Sequence, residues 1–308
     1  MKKETYYFNS TDSKTKLHAV TYKPETEAIA TLIVSHGIGE YIERYEEFAK
    51  ILTEKGIVVT GYDVIGHGKS ISNNNVQMYF GENGSWKYLV NDLVSFNKQI
   101  REKNSKIPCF MLGFSMGSFV LRCALATNEL KTNGIILVGT GRISTITAKL
   151  VKSLISKEVK KIGGDDKVSD VINNLAFGNY NKYFKPCKTE FDWLCEDENA
   201  LKIYIEDDSA YKFITPGMFR ELLTGMDFAS RKSVIRMCDK NIPVLFVSGE
   251  NDPVGGFQKG VKKVEESFRK NGFKTTLIMY PKSRHDVLRD TYKELVISDI
   301  YNWIESNL

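Results

Sequence analysis

Nothing in this 308-residue sequence supports a disulfide scaffold. Its five cysteines, Cys109, Cys123, Cys187, Cys195 and Cys238, are odd in number and contain no C-x-x-C pair. A thiolate zinc site is excluded for the same reason, and free thiols in a reducing compartment are expected. Long apolar runs are missing too. The first eight residues, Met1 to Phe8, hold no stretch that resembles a secretory signal. No segment approaches the roughly 20 apolar residues of a membrane span. A cytoplasmic location is the expectation. Charge of one sign is also lacking, because 43 Lys and Arg against 38 Asp and Glu leave only +5, with the signs interspersed. No nucleic-acid partner is expected from so mild a balance, and the aromatic residues do not form base-stacking platforms on a basic face.

Histidine is scarce: His18, His36, His67 and His285 are all there are. No H-E-x-x-H or paired-histidine spacing exists, so no metal is implied. No cofactor motif survives inspection either. After Gly37-Ile38-Gly39 the sixth position is Ile42, which breaks a dinucleotide fingerprint. Gly68-Lys69-Ser70 resembles the tail of a phosphate-binding loop, but the required first glycine falls at Asp63. Internal repeats and low-complexity tracts are absent.

What remains is a chain long enough for one large α/β domain, or for a core with a smaller insert. Strands are predicted at Thr5–Phe8, Leu17–Tyr22, Ala30–Val34, Ile57–Tyr62, Cys109–Leu112, Gly134–Val138, Val244–Ser248 and Thr275–Tyr280. Helices are predicted from Tyr41 to Lys55, Trp86 to Arg101, Phe119 to Thr127, Phe257 to Asn271 and Tyr292 to Ile304, each on its apolar spacing. The first two strands read as a hairpin-like edge. The others alternate with helices, which implies a mostly parallel central sheet flanked by helices on both faces. At Gly139-Thr140-Gly141 the rhythm changes, and the stretch that follows has helical patterns without a clear buried strand. Residues 1–140 and 236–308 are therefore expected to form the core, and 141–235 an inserted helical cap.

Chemistry enters at Gly113-Phe114-Ser115-Met116-Gly117, a G-x-S-x-G between a predicted strand and a predicted helix. A serine on that sharp turn is exposed at the carboxyl end of the sheet. Its hydroxyl needs a base, and the base needs an acid to orient it. His285 lies just past the last strand, in the loop Pro281-Lys282-Ser283-Arg284-His285, and is the expected base. Asp252, after the strand ending at Ser248, is the expected acid, with Glu250 as runner-up. The oxyanion of an attacked carbonyl needs two backbone N–H donors. Met116 directly follows the nucleophile; Ile38, after the turn-permitting Gly37, is the second expected donor. His36 and His67 read as structural loop residues.

Three segments together, His36-Gly37-Ile38-Gly39-Glu40, Gly66-His67-Gly68-Lys69-Ser70 and Gly113-Phe114-Ser115-Met116-Gly117, resemble the signatures of the α/β-hydrolase superfamily. The branch they are most similar to is the monoacylglycerol lipase and lysophospholipase group, also called serine aminopeptidase-like. Thr189-Glu190-Phe191-Asp192-Trp193-Leu194 resembles a stretch common in caps of bacterial members. Val64 and Ile65 depart from the more polar run that often precedes the second signature. The resemblance covers nearly the whole chain. It implies Ser115 as nucleophile, Asp252 as acid, His285 as base, amides of Ile38 and Met116 as the oxyanion hole, and a helical cap over an acyl pocket.

Within the insert, Leu150, Val151, Leu154, Ile155 and Val159 are predicted to share one helical face. That face either packs on the core or lines an acyl tunnel. The lysines between Lys149 and Lys161 are either a solvated face or a contact for an anionic lipid surface. Phe177, Phe184, Phe191, Trp193, Phe213, Met218, Phe219 and Met226 supply further apolar surface. The leading expectation is a serine hydrolase of lipophilic single-chain esters, acting through an acyl-enzyme. An aminopeptidase is the alternative, with Glu190, Asp192, Glu196 and Asp197 available to bind an amine. A catalytically silent binding protein on the same fold is the third reading. The sequence leaves oligomeric state open.

Overall fold

The computed structural model describes residues 1–70 and 76–308. Eight strands form one sheet: β1 (Lys2–Asn9), β2 (Lys16–Lys23), β3 (Ala30–Ser35), β4 (Ile57–Tyr62), β5 (Cys109–Phe114), β6 (Gly134–Val138), β7 (Val244–Gly249) and β8 (Thr275–Tyr280). Their spatial order is β1-β2-β4-β3-β5-β6-β7-β8. The β1–β2 hairpin and the β2–β4 pair are antiparallel, and every later pairing is parallel.

Every residue of β3 to β7 is buried, which is why these strands read as continuous Val, Ile and Leu runs. Helices cover both faces. On one lie α1 (Glu46–Glu54) and α10 (Lys293–Glu305), whose Phe48, Leu52, Val296 and Ile300 pack with Phe110, Leu112 and Phe114. On the other lie α2 (Trp86–Lys103), α3 (Met116–Leu125) and α9 (Lys259–Lys270), whose Leu93, Phe96, Phe119, Val261 and Phe268 pack with Met111 and Phe246. Alternate residues of one strand thus feed two separate cores.

Several boundaries differ from expectation: β1 begins at Lys2 and not at Thr5, β5 runs on to Phe114, α9 begins at Lys259, and two further differences bear on the site. The stretch 41–55 begins with a 3-10 turn, Ile42–Tyr45, and only then becomes α1. Helix α3 starts at Met116, three residues before Phe119, because the glycines at 113 and 117 let it follow the strand without a linker.

Between β6 and β7 the described residues hold helices and no strand: α4 (Thr145–Ile162), α5 (Asp170–Phe177), a 3-10 turn at Tyr180–Tyr183, α6 (Glu198–Glu206), α7 (Pro216–Ser230) and α8 (Lys232–Met237). Ser144 caps α4 by accepting the Thr147 N–H, and Gly163 ends it in the left-handed conformation. Helix α7 packs on α4 but also on α2 and α3 of the core.

The single apolar face expected on α4 is split. Ala148 and Ile155 are buried, and Val151 and Val159 lie partly so, whereas Leu150 and Leu154 are 64% and 50% exposed beside Ile146 at 74%. At 100° per residue the two rows point apart, and α7 covers only one of them.

Candidate active site

Strand β5 ends in a turn whose geometry is set by Ser115, at φ 49°, ψ −116°. A non-glycine residue there is strained, and the surrounding hydrogen bonds hold it. Ser115 donates its N–H to Val138 O at 2.9 Å, and its carbonyl accepts the Ser118 hydroxyl at 2.6 Å. A Cβ on Gly117 would overlap the carbonyl oxygens of Ser35 and His36, and one on Gly113 would overlap Gly117. The turn therefore sits hard against the loop after β3.

The loops after β7 and β8 bring two more side chains to this point. His285 Nε2 lies 2.8 Å from Ser115 Oγ, and its Nδ1 lies 3.0 Å from Asp252 Oδ1. Asp252 can only accept, so Nδ1 carries the proton and Nε2 is free to receive one. Asp252 is wholly buried and also accepts the Val254 N–H at 2.8 Å. Glu250, the runner-up, is not brought to the imidazole. Burial disfavours the charged form of His285, but the charge and hydrogen bond of Asp252, with Asp286 and Glu40 nearby, outweigh it and raise its pKa above 6.5. The ring is tilted against both Phe114 and Trp193, at centroid distances of 5.1 and 5.5 Å. Gly139, at φ 58°, comes so near that a Cβ there would stand 3.0 Å from the imidazole.

The loop after β3 is held from within. His36 accepts the Val64 N–H at Nε2, 2.9 Å, and therefore donates from Nδ1 to Gly37 O at 2.7 Å. Glu40 accepts the Gly37 N–H at 2.6 Å and the Tyr45 hydroxyl at 2.7 Å. Ile38 follows, and it lines the same cleft as Ser115. Among the described residues neither the Ile38 nor the Met116 N–H is donated to a protein acceptor. His67 is buried among apolar neighbours, which, together with His36, lowers its pKa to about 3.

The cleft at Ser115 opens to solvent, and the space between its walls, the opening included, is about 600 Å³. Phe114, Phe177, Phe191, Trp193, Leu194, Tyr211, Phe213 and Met78 line it, together with a polar group of Glu40, Arg44, Tyr204, Lys212 and Asp286. Arg44 lies 5.0 Å above the Tyr204 ring and within 4 Å of Glu40, Asp207 and Asp286. No α4 residue lines this cleft, so the tunnel face expected on α4 is not there; the insert contributes from Phe177 and from 191–213 instead. Met218 and Phe219 are buried in the core. The acids expected to hold an amine are elsewhere. Asp192 accepts N–H groups of Lys188 and Thr189, Asp197 caps α6, and neither they nor Glu190 and Glu196 line the cleft.

Sequence reading did not find Glu40, Gly139 or Arg44. Glu40 ends the segment His36–Glu40, but its partner Arg289 comes from a distant segment and is set by packing, while Arg44 is one turn further along the chain.

The chain is similar to known proteins. A family model described as serine aminopeptidase, S33, matches residues 26–292. A monoglyceride lipase of Mus musculus is 30% identical over 289 residues, spanning 93% of this chain and 86% of the mouse one. A monoglyceride lipase homolog of monkeypox virus is 31% identical over 140 residues, so the alignment takes in 43% of this chain and about half, 49%, of the viral one. A solved thermostable carboxyl esterase of Bacillus coagulans superposes with a TM-score of 0.90 over 99% of both chains at 24% identity, a likeness of fold.

Proposed function

The chain belongs to the serine aminopeptidase S33 family of α/β-hydrolases, and we propose that it is a serine hydrolase that cleaves carboxylic esters of single acyl chains, of monoacylglycerol or lysophospholipid type. One observation carries this reading: a serine, an imidazole and a carboxylate in hydrogen-bonded series at the floor of an aromatic cleft.

In this reading Ser115 attacks the ester carbonyl while His285 Nε2 takes the hydroxyl proton. The carbonyl oxygen becomes an anion and accepts the Ile38 and Met116 N–H groups, each worth roughly 3 kcal/mol by analogy with mutated donors elsewhere. His285 then protonates the leaving alcohol. Water, deprotonated by the same nitrogen, attacks the acyl-enzyme and frees the acid. Asp252 stays ionised throughout and stabilises the imidazolium. The acyl chain lies against the aromatic lining, where each buried methylene contributes about 0.8 kcal/mol. The positions of the acids in the insert give no support to an aminopeptidase site, and the mouse relative's name agrees with an ester substrate.

Residues 141–235 act as the cap. The exposed Ile146, Leu150 and Leu154, flanked by the exposed Lys149, Lys157, Lys160 and Lys161, suit transient contact with an anionic lipid surface. Among the described residues no helix is long and apolar enough to cross a membrane. Four of the five free thiols are buried, in keeping with a cytoplasmic enzyme.

The test is a panel of p-nitrophenyl esters, monoacylglycerols and lysophospholipids of graded chain length against aminoacyl anilides. Ester turnover with fluorophosphonate labelling that disappears in Ser115→Ala is expected. Faster turnover of the anilides would overturn the assignment.

A further inference from the structure

The loop that carries His285 is joined to the insert by an unusual seam. Asp290 is wholly buried, and no Lys or Arg side chain pairs with it among the described residues. Its carboxyl group is used up on backbone amides instead. Oδ1 accepts the N–H groups of Glu196 at 2.9 Å, Asp197 at 3.2 Å and Thr291 at 2.8 Å, while Oδ2 accepts that of Arg284 at 2.7 Å. One carboxyl group thus grips both the residue before the imidazole and the segment of the insert that follows Trp193. The seam continues on either side. Asp286 donates its N–H to Leu194 O at 2.7 Å, His285 donates its own to Trp193 O at 3.4 Å, and the Arg284 guanidinium donates to the carbonyls of Asp192 and Cys195.

We propose that Asp290 is a positioning residue for the base: it fixes the His285 loop and residues 192–197 of the insert as one unit. In this arrangement the insert supplies part of the seat of the imidazole, with Trp193 of the insert and Phe114 of the core both against the ring. A buried carboxyl group with four amide donors holds backbone, and backbone position decides whether Nε2 meets Ser115 Oγ. The inference rests on the reading of Ser115 and His285 as nucleophile and base.

Asp290→Asn isolates the half of the seam that matters. The amide oxygen can still accept from Glu196, Asp197 and Thr291, but the NH2 group then faces the Arg284 N–H, donor against donor. Asp290→Ala removes both halves. The measurement is kcat per active site titrated with a fluorophosphonate, using p-nitrophenyl acetate and a long-chain ester, beside the melting temperature. A misplaced base is expected to lower kcat per titrated site by about tenfold to a hundredfold, equally for both esters and with little change in KM. A merely structural role would lower the melting temperature and the titratable fraction while leaving kcat per titrated site within about twofold of the parent. That outcome overturns the proposal. If Asp290→Ala does not fold, Arg284→Met, which removes the guanidinium contacts of the same seam, is read by the same criterion. Absence of any ester turnover by the parent would instead overturn the proposed function.

Discussion

Glu40 reaches back three residues to accept the Gly37 N–H at 2.6 Å, so a buried carboxylate sets the shape of the loop that presents the Ile38 amide. Its other oxygen faces Arg289 at 3.4 Å and Arg44 at 3.5 Å. Burial would raise its pKa, but Arg289, Arg44 and the Gly37 N–H hold it below the usual carboxylate range. Glu40→Ala leaves the buried Gly37 N–H and Tyr45 hydroxyl without their acceptor, while Arg44 and Arg289 keep Asp207 and Asp286, and about 1–3 kcal/mol of stability is expected to be lost. Ester turnover should fall as well, because the loop relaxes. Thermal unfolding and kcat of the folded fraction check both.

Ser115→Ala should lower kcat by on the order of 10⁴ or more while the far-ultraviolet dichroism and melting temperature stay near those of the parent. Replacing a strained turn residue by alanine removes one hydroxyl and no packing. Retention of substantial activity in the folded variant would exclude Ser115 as nucleophile.

The pH dependence follows from His285. The base works only when neutral, and its pKa is raised above 6.5 because Asp252, with Asp286 and Glu40, outweighs burial. Activity should therefore climb with pH along a limb centred above 6.5 and be lost below it. Asp252→Asn removes the carboxylate that raises the pKa, so the limb should move to lower pH. The same change frees the imidazole to take the wrong tautomer and should cost about 10⁴ in kcat. A pH profile of kcat/KM for both proteins is the measurement, and a limb that does not move contradicts the role of Asp252.

Chain length should be read by the cleft. At about 0.8 kcal/mol per methylene, kcat/KM is expected to rise by up to roughly fourfold for each CH2 buried against the aromatic lining. A series of p-nitrophenyl esters from acetate upward checks this, and Phe191→Ala together with Phe213→Ala should flatten the slope for the longer members. A flat series in the parent would argue against an acyl site among these rings.

The parts legible in the sequence were those with local signatures. Val-, Ile- and Leu-rich runs marked β3 to β7 because both faces of each strand are covered. The glycines at 113 and 117 marked the serine turn because no side chain fits there. Asp252 and His285 were placed by chain order and by the strands they follow. The insert was harder. Leu150 and Ile155 look alike as letters, and only the position of α7 makes one exposed and the other buried. Asp290 gave no signal either, since the two amides that tie it to the insert are 93 and 94 residues away in the chain.

The seam between 192–197 and the loop after β8 divides the insert into two mechanical regimes. One part is bolted to the imidazole. The other, α4, rests on α7 with Ile146, Leu150 and Leu154 turned outward, and it shares no hydrogen bond with the bolted segment among the described residues. A swing of α4 would break none of the hydrogen bonds that hold the His285 loop. Substitutions on the outward face of α4 can thus change what that surface touches without altering the lining of the cleft, to which α4 contributes no residue.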